Sequence, residues 1–133
     1  MKSKSTLVTG LLLIAVVYSV GQPTLSGQST TFETRCGWLQ NPTPANIWFY
    51  DREAEWTIGV QGGYQVPGDW PWPAFKSGQW VRTNVNYGYG CVCFQLRVDK
   101  KDFRVLEIKR ASARSLAACR KDPSLKRWRR MFK

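Results

Sequence analysis

Between Cys91 and Val98 the chain alternates strictly, with Val92, Phe94, Leu96 and Val98 in one parity and Cys91, Cys93, Gln95 and Arg97 in the other. Period two marks a strand whose faces meet different surroundings. One face here is oily and the other carries two cysteines. Tyr87-Gly88-Tyr89-Gly90 precedes it, and glycines between aromatics mark a turn, a bulge or a close backbone approach. Asp99 to Asp102 then reads as a hairpin turn and Phe103 to Lys109 as the returning strand, with Val98 opposite Phe103 and Leu96 opposite Val105.

Asn46 to Tyr50 and Glu55 to Val60 are β-branched and aromatic around the polar Asp51-Arg52-Glu53, which predicts a second hairpin. Both parities of Asn46 to Tyr50 are apolar, so one face must be covered by another element or serve as a contact surface. Gln79 to Val85 predicts a further strand. Asn41-Pro42-Thr43-Pro44 enforces an extended or turning path, and Pro67, Pro71 and Pro73 stiffen the loop that carries Trp70 and Trp72. Ser112 to Arg120 is alanine-rich and predicts a short helix that Pro123 stops. Beyond it Leu125, Trp128 and Phe132 fall on one helical face. The fold class is therefore all-β or β-rich α+β, a small single domain of about five antiparallel strands with one short C-terminal helix. An open sheet, a sandwich and a partly closed barrel all fit this pattern.

Lys2 and Lys4 precede an uncharged apolar run from Leu7 to Val20, with small residues at Ser19 and Gly21. This is the layout of a secretory signal peptide cleaved before Gln22. The run is too short for a spanning helix, which needs ~20 apolar residues, so no transmembrane span is expected after cleavage. The chain divides into a signal peptide (1–21), a Ser, Thr, Gly and Gln-rich disordered leader (22–34), a domain (35–123) and a tail (124–133). The protein is expected to be exported, to the periplasm or beyond the cell. In an oxidising compartment Cys36, Cys91, Cys93 and Cys119 read as two disulfides. Cys91 and Cys93 share a face and would close too tight a ring together. Each should bond outward, one to Cys36 and one to Cys119, in either pairing. A one-residue spacer and the absence of histidine argue against a metal, and no cofactor is expected.

Charge is unevenly placed. Residues 22–108 hold eight Lys or Arg and eight Asp or Glu, whereas 109–133 hold ten basic residues against Asp122 alone. Lys126, Arg127, Arg129, Arg130 and Lys133 interleave with Trp128, Met131 and Phe132, a pattern suited to an anionic interface where rings insert and cations meet phosphates. Export favours envelope lipid, lipopolysaccharide or another anionic polymer over nucleic acid as partner.

Arg35-Cys36-Gly37-Trp38-Leu39, Asn41-Pro42-Thr43-Pro44, Trp56-Thr57-Ile58, Gln61-Gly62-Gly63, Thr83-Asn84, Tyr87-Gly88-Tyr89-Gly90-Cys91-Val92-Cys93 and Cys119-Arg120-Lys121-Asp122-Pro123 together resemble a bacterial family of small exported proteins, domain of unknown function family 4087. The resemblance spans about Arg35 to Leu125 and leaves the tail outside. It implies a bacterial source, export and a single domain, and brings no activity, substrate or catalytic residue with it.

Residues 38–90 hold six Trp, four Tyr and two Phe, more than a small core needs. Trp70, Trp72, Tyr87 and Tyr89 lie in loop segments, where recognition residues tend to be carried. Flat rings there can stack on sugar or anchor a protein contact, with Asn84, Asn86 and Asp69 supplying hydrogen bonds. The expected function is thus a non-enzymatic, envelope-associated binding module for a glycan or protein, an inhibitor of a secreted enzyme being one version. A cationic membrane-active or anionic-polymer-binding protein acting through its tail is the alternative. A second is a small hydrolase using Asp51, Glu53 and Glu55, the one acidic cluster. With Arg52 among them these carboxylates read more simply as a solvated turn.

Overall fold

The computed structural model describes residues 31–133; the expected signal peptide and residues 22–30 of the leader lie outside them. Six strands form: β1 (Glu33–Thr43), β2 (Asn46–Tyr50), β3 (Glu55–Gly59), β4 (Trp80–Asn84), β5 (Tyr87–Asp99) and β6 (Arg104–Arg114). The short helix α1 (Leu116–Lys121) and a 3₁₀ turn (Pro123–Trp128) follow. The strand order is β1-β2-β3-β6-β5-β4, and β1 also pairs with β5. The first five therefore close on themselves, while β4 flanks the start of β5. The β3–β6 seam is parallel and narrow, Thr57 opposite Arg104. Of the three architectures left open by the sequence, the partly closed barrel is the one formed. Leaving β4 aside, this order and parallel seam are those of the OB type of Greek-key barrel, a scaffold that hosts many unrelated functions. Among the described residues no helix is long and apolar enough to cross a membrane.

The oily face of β5 points into the barrel. Val92, Phe94, Leu96 and Val98 pack there with Leu39, Phe49, Trp56, Ile58, Val105 and Ile108. β1 enters this core by the opposite parity, Arg35, Gly37 and Leu39 standing against Phe94, Val92 and Gly90. Gly37 is required by that geometry, since a Cβ there would lie 2.0 Å from the Tyr50 carbonyl oxygen. From the next residue, Trp38, β1 pairs with β2 as well as β5.

The cysteine face of β5 builds a second core on the outer wall. Trp38, Tyr50, Tyr89 and Cys91 pack with Cys119, Leu125 and Phe132, and Trp48, Val81, Leu116 and Trp128 adjoin them. This answers why both faces of β2 are apolar: the C-terminal segment covers the outer one. Residues 124–133, expected as a tail apart from the domain, are docked on the sheet. Phe132 is 2% exposed, its ring 5.0 Å from Trp38 and 5.1 Å from both Tyr50 and Tyr89. The Trp128 indole donates to the Asp51 carbonyl at 2.7 Å, and the Tyr89 hydroxyl donates to the Lys133 carbonyl. Two disulfides pin this arrangement: Cys36–Cys93 joins facing residues of β1 and β5, and Cys91–Cys119 ties β5 to α1. Each typically contributes about 2–4 kcal/mol.

Three sequence expectations shift. Strand β1 starts at Glu33, so Glu33 and Thr34 belong to the sheet and not to a disordered leader. The β5–β6 register differs because bulges at Gln95/Leu96 and Arg97/Val98 set Val98 opposite Val105 and Leu96 opposite Ile108. The Asp99 carboxylate accepts from the Lys101 and Asp102 amides, which leaves Phe103 in the turn with a φ of 50°. Finally, Ala111 to Arg114 extend β6 opposite Cys91 to Phe94. Helix propensity is worth tenths of a kcal/mol per residue, less than completing the ladder of a buried strand. The helix is confined to α1, with the Ser115 side chain accepting from the Ala118 amide.

Docking of the C-terminal segment has a measurable consequence. Phe132→Ala should destabilise the protein by about 3–5 kcal/mol in urea unfolding, whereas Met131→Ala, at an exposed side chain, should change stability by less than about 0.5 kcal/mol. Equal effects of the two would mean that the segment is not seated on the sheet.

Candidate functional site

The proline-stiffened segment after β3 crosses one end of the barrel. Val66 is anchored by its amide to the Ile58 carbonyl at 2.8 Å, and Trp70 meets Phe94 edge-on at 6.2 Å. Pro71 and Pro73 hold the chain extended, which sets Trp72 beside Trp70 with centroids 5.4 Å apart. Phe75 then lies over Gly90, where a Cβ would stand 2.5 Å from the ring. Trp80, at the start of β4, packs against Phe75 at 4.9 Å and Trp72 at 6.1 Å. Its indole donates to the Asn86 carbonyl at 3.1 Å. The ring is thereby fixed and its faces, not its N–H, are on offer.

These rings wall a cavity of about 600 Å³, lined by Trp72, Phe75, Trp80 and Tyr87 together with Pro73, Ala74 and the amides Asn41 and Asn86. Trp72 is 45% exposed. The Asn41 amide donates at 2.8 Å to the carbonyls of both Thr43 and Asn46, which holds that side chain in place.

Of the aromatics singled out in the sequence, Trp72 and Tyr87 meet in this groove with Asn86. Trp70 does not line it; half-buried, it serves as a lid on the inner core. Tyr89 is on the other side of the sheet, buried among Trp38 and Phe132. One residue separates Tyr87 from Tyr89, yet Tyr89 is the one that lies beneath the C-terminal segment. Asn84 does not line the groove, its amide lying 3.4 Å from the Pro42 carbonyl, and Asp69 is exposed outside the lining. The sequence pointed to none of Trp80, Phe75 or Asn41. Trp80 was legible only as a strand residue, and Phe75 faces Gly90 across a long loop.

The family described as protein of unknown function (DUF4087) matches residues 30–126. The chain belongs to that family. All six strands and the groove lie within the match, while Trp128 and Phe132 lie beyond it. Neither a curated protein nor a solved structure matches the chain.

In this DUF4087 domain the acidic cluster is absorbed by ion pairs. Arg35, inside the barrel end, donates to Asp51 at 2.6 Å, to Glu53 at 2.7 Å and to Glu33 at 3.1 Å, and its guanidinium stacks 4.8 Å from the Trp56 centroid. Burial disfavours its charge, but the hydrogen bonds it donates to the three carboxylates outweigh burial and hold it more firmly protonated than usual. Asp51, 2% exposed, also accepts from the Glu53 and Ala54 amides. Lys100 lies 2.9 Å from Glu53, and its hydrogen bond, aided by Arg35, lowers the Glu53 pKa against a smaller effect of burial. Glu55 is exposed at the start of β3. Among the described residues no group of His, Cys, Asp or Glu is arranged to hold a metal.

The C-terminal cations are on the surface. Lys126, Arg127, Arg129, Arg130 and Lys133 are exposed and, among the described residues, form no ion pair. Their expected companions Trp128 and Phe132 face the sheet instead, because Trp38, Tyr50 and Tyr89 present an apolar wall that the rings cover.

Two outcomes follow from this geometry. Glu53 has a depressed pKa in the folded state, so its stabilising effect is complete above the ordinary glutamate value of about 4.3 and fades as pH falls through the lowered one. Urea midpoints measured from pH 7 to 2 should therefore decline in acid, and Lys100→Met should flatten that decline. Secondly, Val85 occupies the two-residue β4–β5 turn at a φ of 51°, where glycine is the usual residue. Val85→Gly should raise stability by about 1 kcal/mol in the same assay, by relieving strain at a β-branched residue.

Proposed function

We propose that this protein is an exported, non-enzymatic binding module that holds a glycan chain in the groove between Trp72, Trp80 and Tyr87. The observation that carries the reading is a cavity of about 600 Å³ walled by four aromatic rings and edged by two amides, on a scaffold braced by two disulfides. Aromatic faces suit the C–H faces of sugars, and amides can both donate to and accept from hydroxyls. A wall of rings already packed on one another loses little entropy when a ligand seats. The disulfides fit an oxidising compartment, where extracellular or envelope polysaccharide is at hand.

A second reading is favoured by one observation, the exposed C-terminal cations, which form no ion pair among the described residues. It is adhesion to an anionic surface through Lys126, Arg127, Arg129, Arg130 and Lys133. With Trp128 and Phe132 committed to the sheet, such adhesion is electrostatic and peripheral, and therefore weakened by salt.

The groove is tested by titrating the protein with a panel of soluble polysaccharides, reading tryptophan emission. At least one should bind saturably, and Trp72→Ala should weaken it by about tenfold or more, equivalent to about 1.4 kcal/mol, with the unfolding midpoint little changed. Binding that ignores Trp72→Ala, or a panel that never binds, would refute the groove as a glycan site.

A further inference from the structure

A second cavity shares two of the groove's rings. Phe75 and Trp80 also wall an adjoining cavity of about 360 Å³, completed by Lys76, Ser77, Gly78 and Arg82. The two cations are set by backbone structure. Lys76 opens a tight turn in which the Gln79 amide donates to the Lys76 carbonyl at 3.0 Å, the Lys76 amide donates to Gln79 Oε1 at 2.8 Å, and Gly78 supplies a φ of 79°. Arg82 stands two residues from Trp80 on β4 and so shares its face of the strand. Both side chains are exposed, and among the described residues neither makes an ion pair. Neither cavity has an Asp or Glu in its lining.

We infer that the groove selects an acidic polysaccharide, a chain of uronic-acid-type sugars whose rings stack on Trp72 and Trp80 and whose carboxylates meet Lys76 and Arg82. This rests on the glycan reading of the groove and adds the charge of the ligand. An arginine in this position can take a carboxylate through two parallel N–H···O bonds, and the lysine adds a point charge. A neutral glycan would leave both cations unused beside the ring wall. A nucleic acid carries a phosphate at every nucleotide and is matched by a longer basic track than two residues.

The experiment is a fluorescence titration of the full chain with polygalacturonate and alginate, and with fully methyl-esterified polygalacturonate as the neutral counterpart. Variants are Lys76→Gln with Arg82→Gln, Trp72→Ala, and a combined Lys126→Gln, Arg127→Gln, Arg129→Gln and Arg130→Gln. The acidic polymers should bind about tenfold more tightly than the ester. The Lys76/Arg82 variant should abolish that preference and reduce the salt dependence, and Trp72→Ala should weaken acid and ester alike. Equal affinity for acid and ester, or a preference untouched by the Lys76/Arg82 variant, overturns the charge selection while leaving a glycan groove that still responds to Trp72→Ala. Acid binding lost only in the C-terminal variant transfers the effect to the other cationic face and overturns the inference. Tighter, Trp72-dependent binding of oligothymidylate makes the ligand a nucleic acid. Silence of every polymer removes both the inference and the reading beneath it.

Discussion

Burial of β5 on both faces is the constraint from which the rest of the structure follows. A strand covered on one side needs one core; β5 needs two, and a chain of this size has little to build the second from. The barrel closes over Val92, Phe94, Leu96 and Val98. The opposite face, bearing Cys91 and Cys93, is closed by the C-terminal segment and by two disulfides. Small domains bury a modest fraction of their surface, so a covalent tie between β5 and α1 and another between β5 and β1 secure both layers at their common strand.

That arrangement assigns the aromatic residues to three separate tasks. Phe49, Trp56 and Phe94 fill the barrel, Trp38, Tyr50, Tyr89, Trp128 and Phe132 form the outer layer, and Trp72, Phe75, Trp80 and Tyr87 stand around the groove. Ring content alone overstated the accessible aromatic surface, because a large share of it is structural. What remains is a compact wall held by Pro71, Pro73 and the Trp80–Asn86 hydrogen bond. Its neighbours Lys76 and Arg82 bring charge to a region of the chain with no net excess of it.

The cationic end changes meaning in the same way. As a pattern, Leu125, Trp128 and Phe132 at helical spacing between basic residues describe an amphipathic segment that could insert into an interface. The spacing does define one apolar face, but the partner for that face is the protein's own sheet. The cations and Met131 are left outside. Likewise the acidic residues Asp51 and Glu53, which in sequence stand as a candidate catalytic pair, are neutralised by Arg35 from β1 and Lys100 from the β5–β6 turn.

The sequence by itself determined the strand-rich class, the hairpins after β2 and β5, the two faces of β5 and the outward bonding of its cysteines. Each of these is local, set by period-two alternation, turn residues and the short reach between Cys91 and Cys93. It also placed Trp72, Tyr87 and Asn86 among the candidates. Only the tertiary structure decided which cysteine took which partner, since facing Cys36 with Cys93 depends on the β1–β5 register. It also decided that Ala111 to Arg114 extend a strand, because pairing with β5 outweighs a weak preference for helix. The separation of Tyr87 from Tyr89 and the meeting of Phe75 with Trp80 were decided there too. Those contacts join residues whose neighbours in space are distant in sequence, and periodicity carries no information about which distant surface will cover a given face.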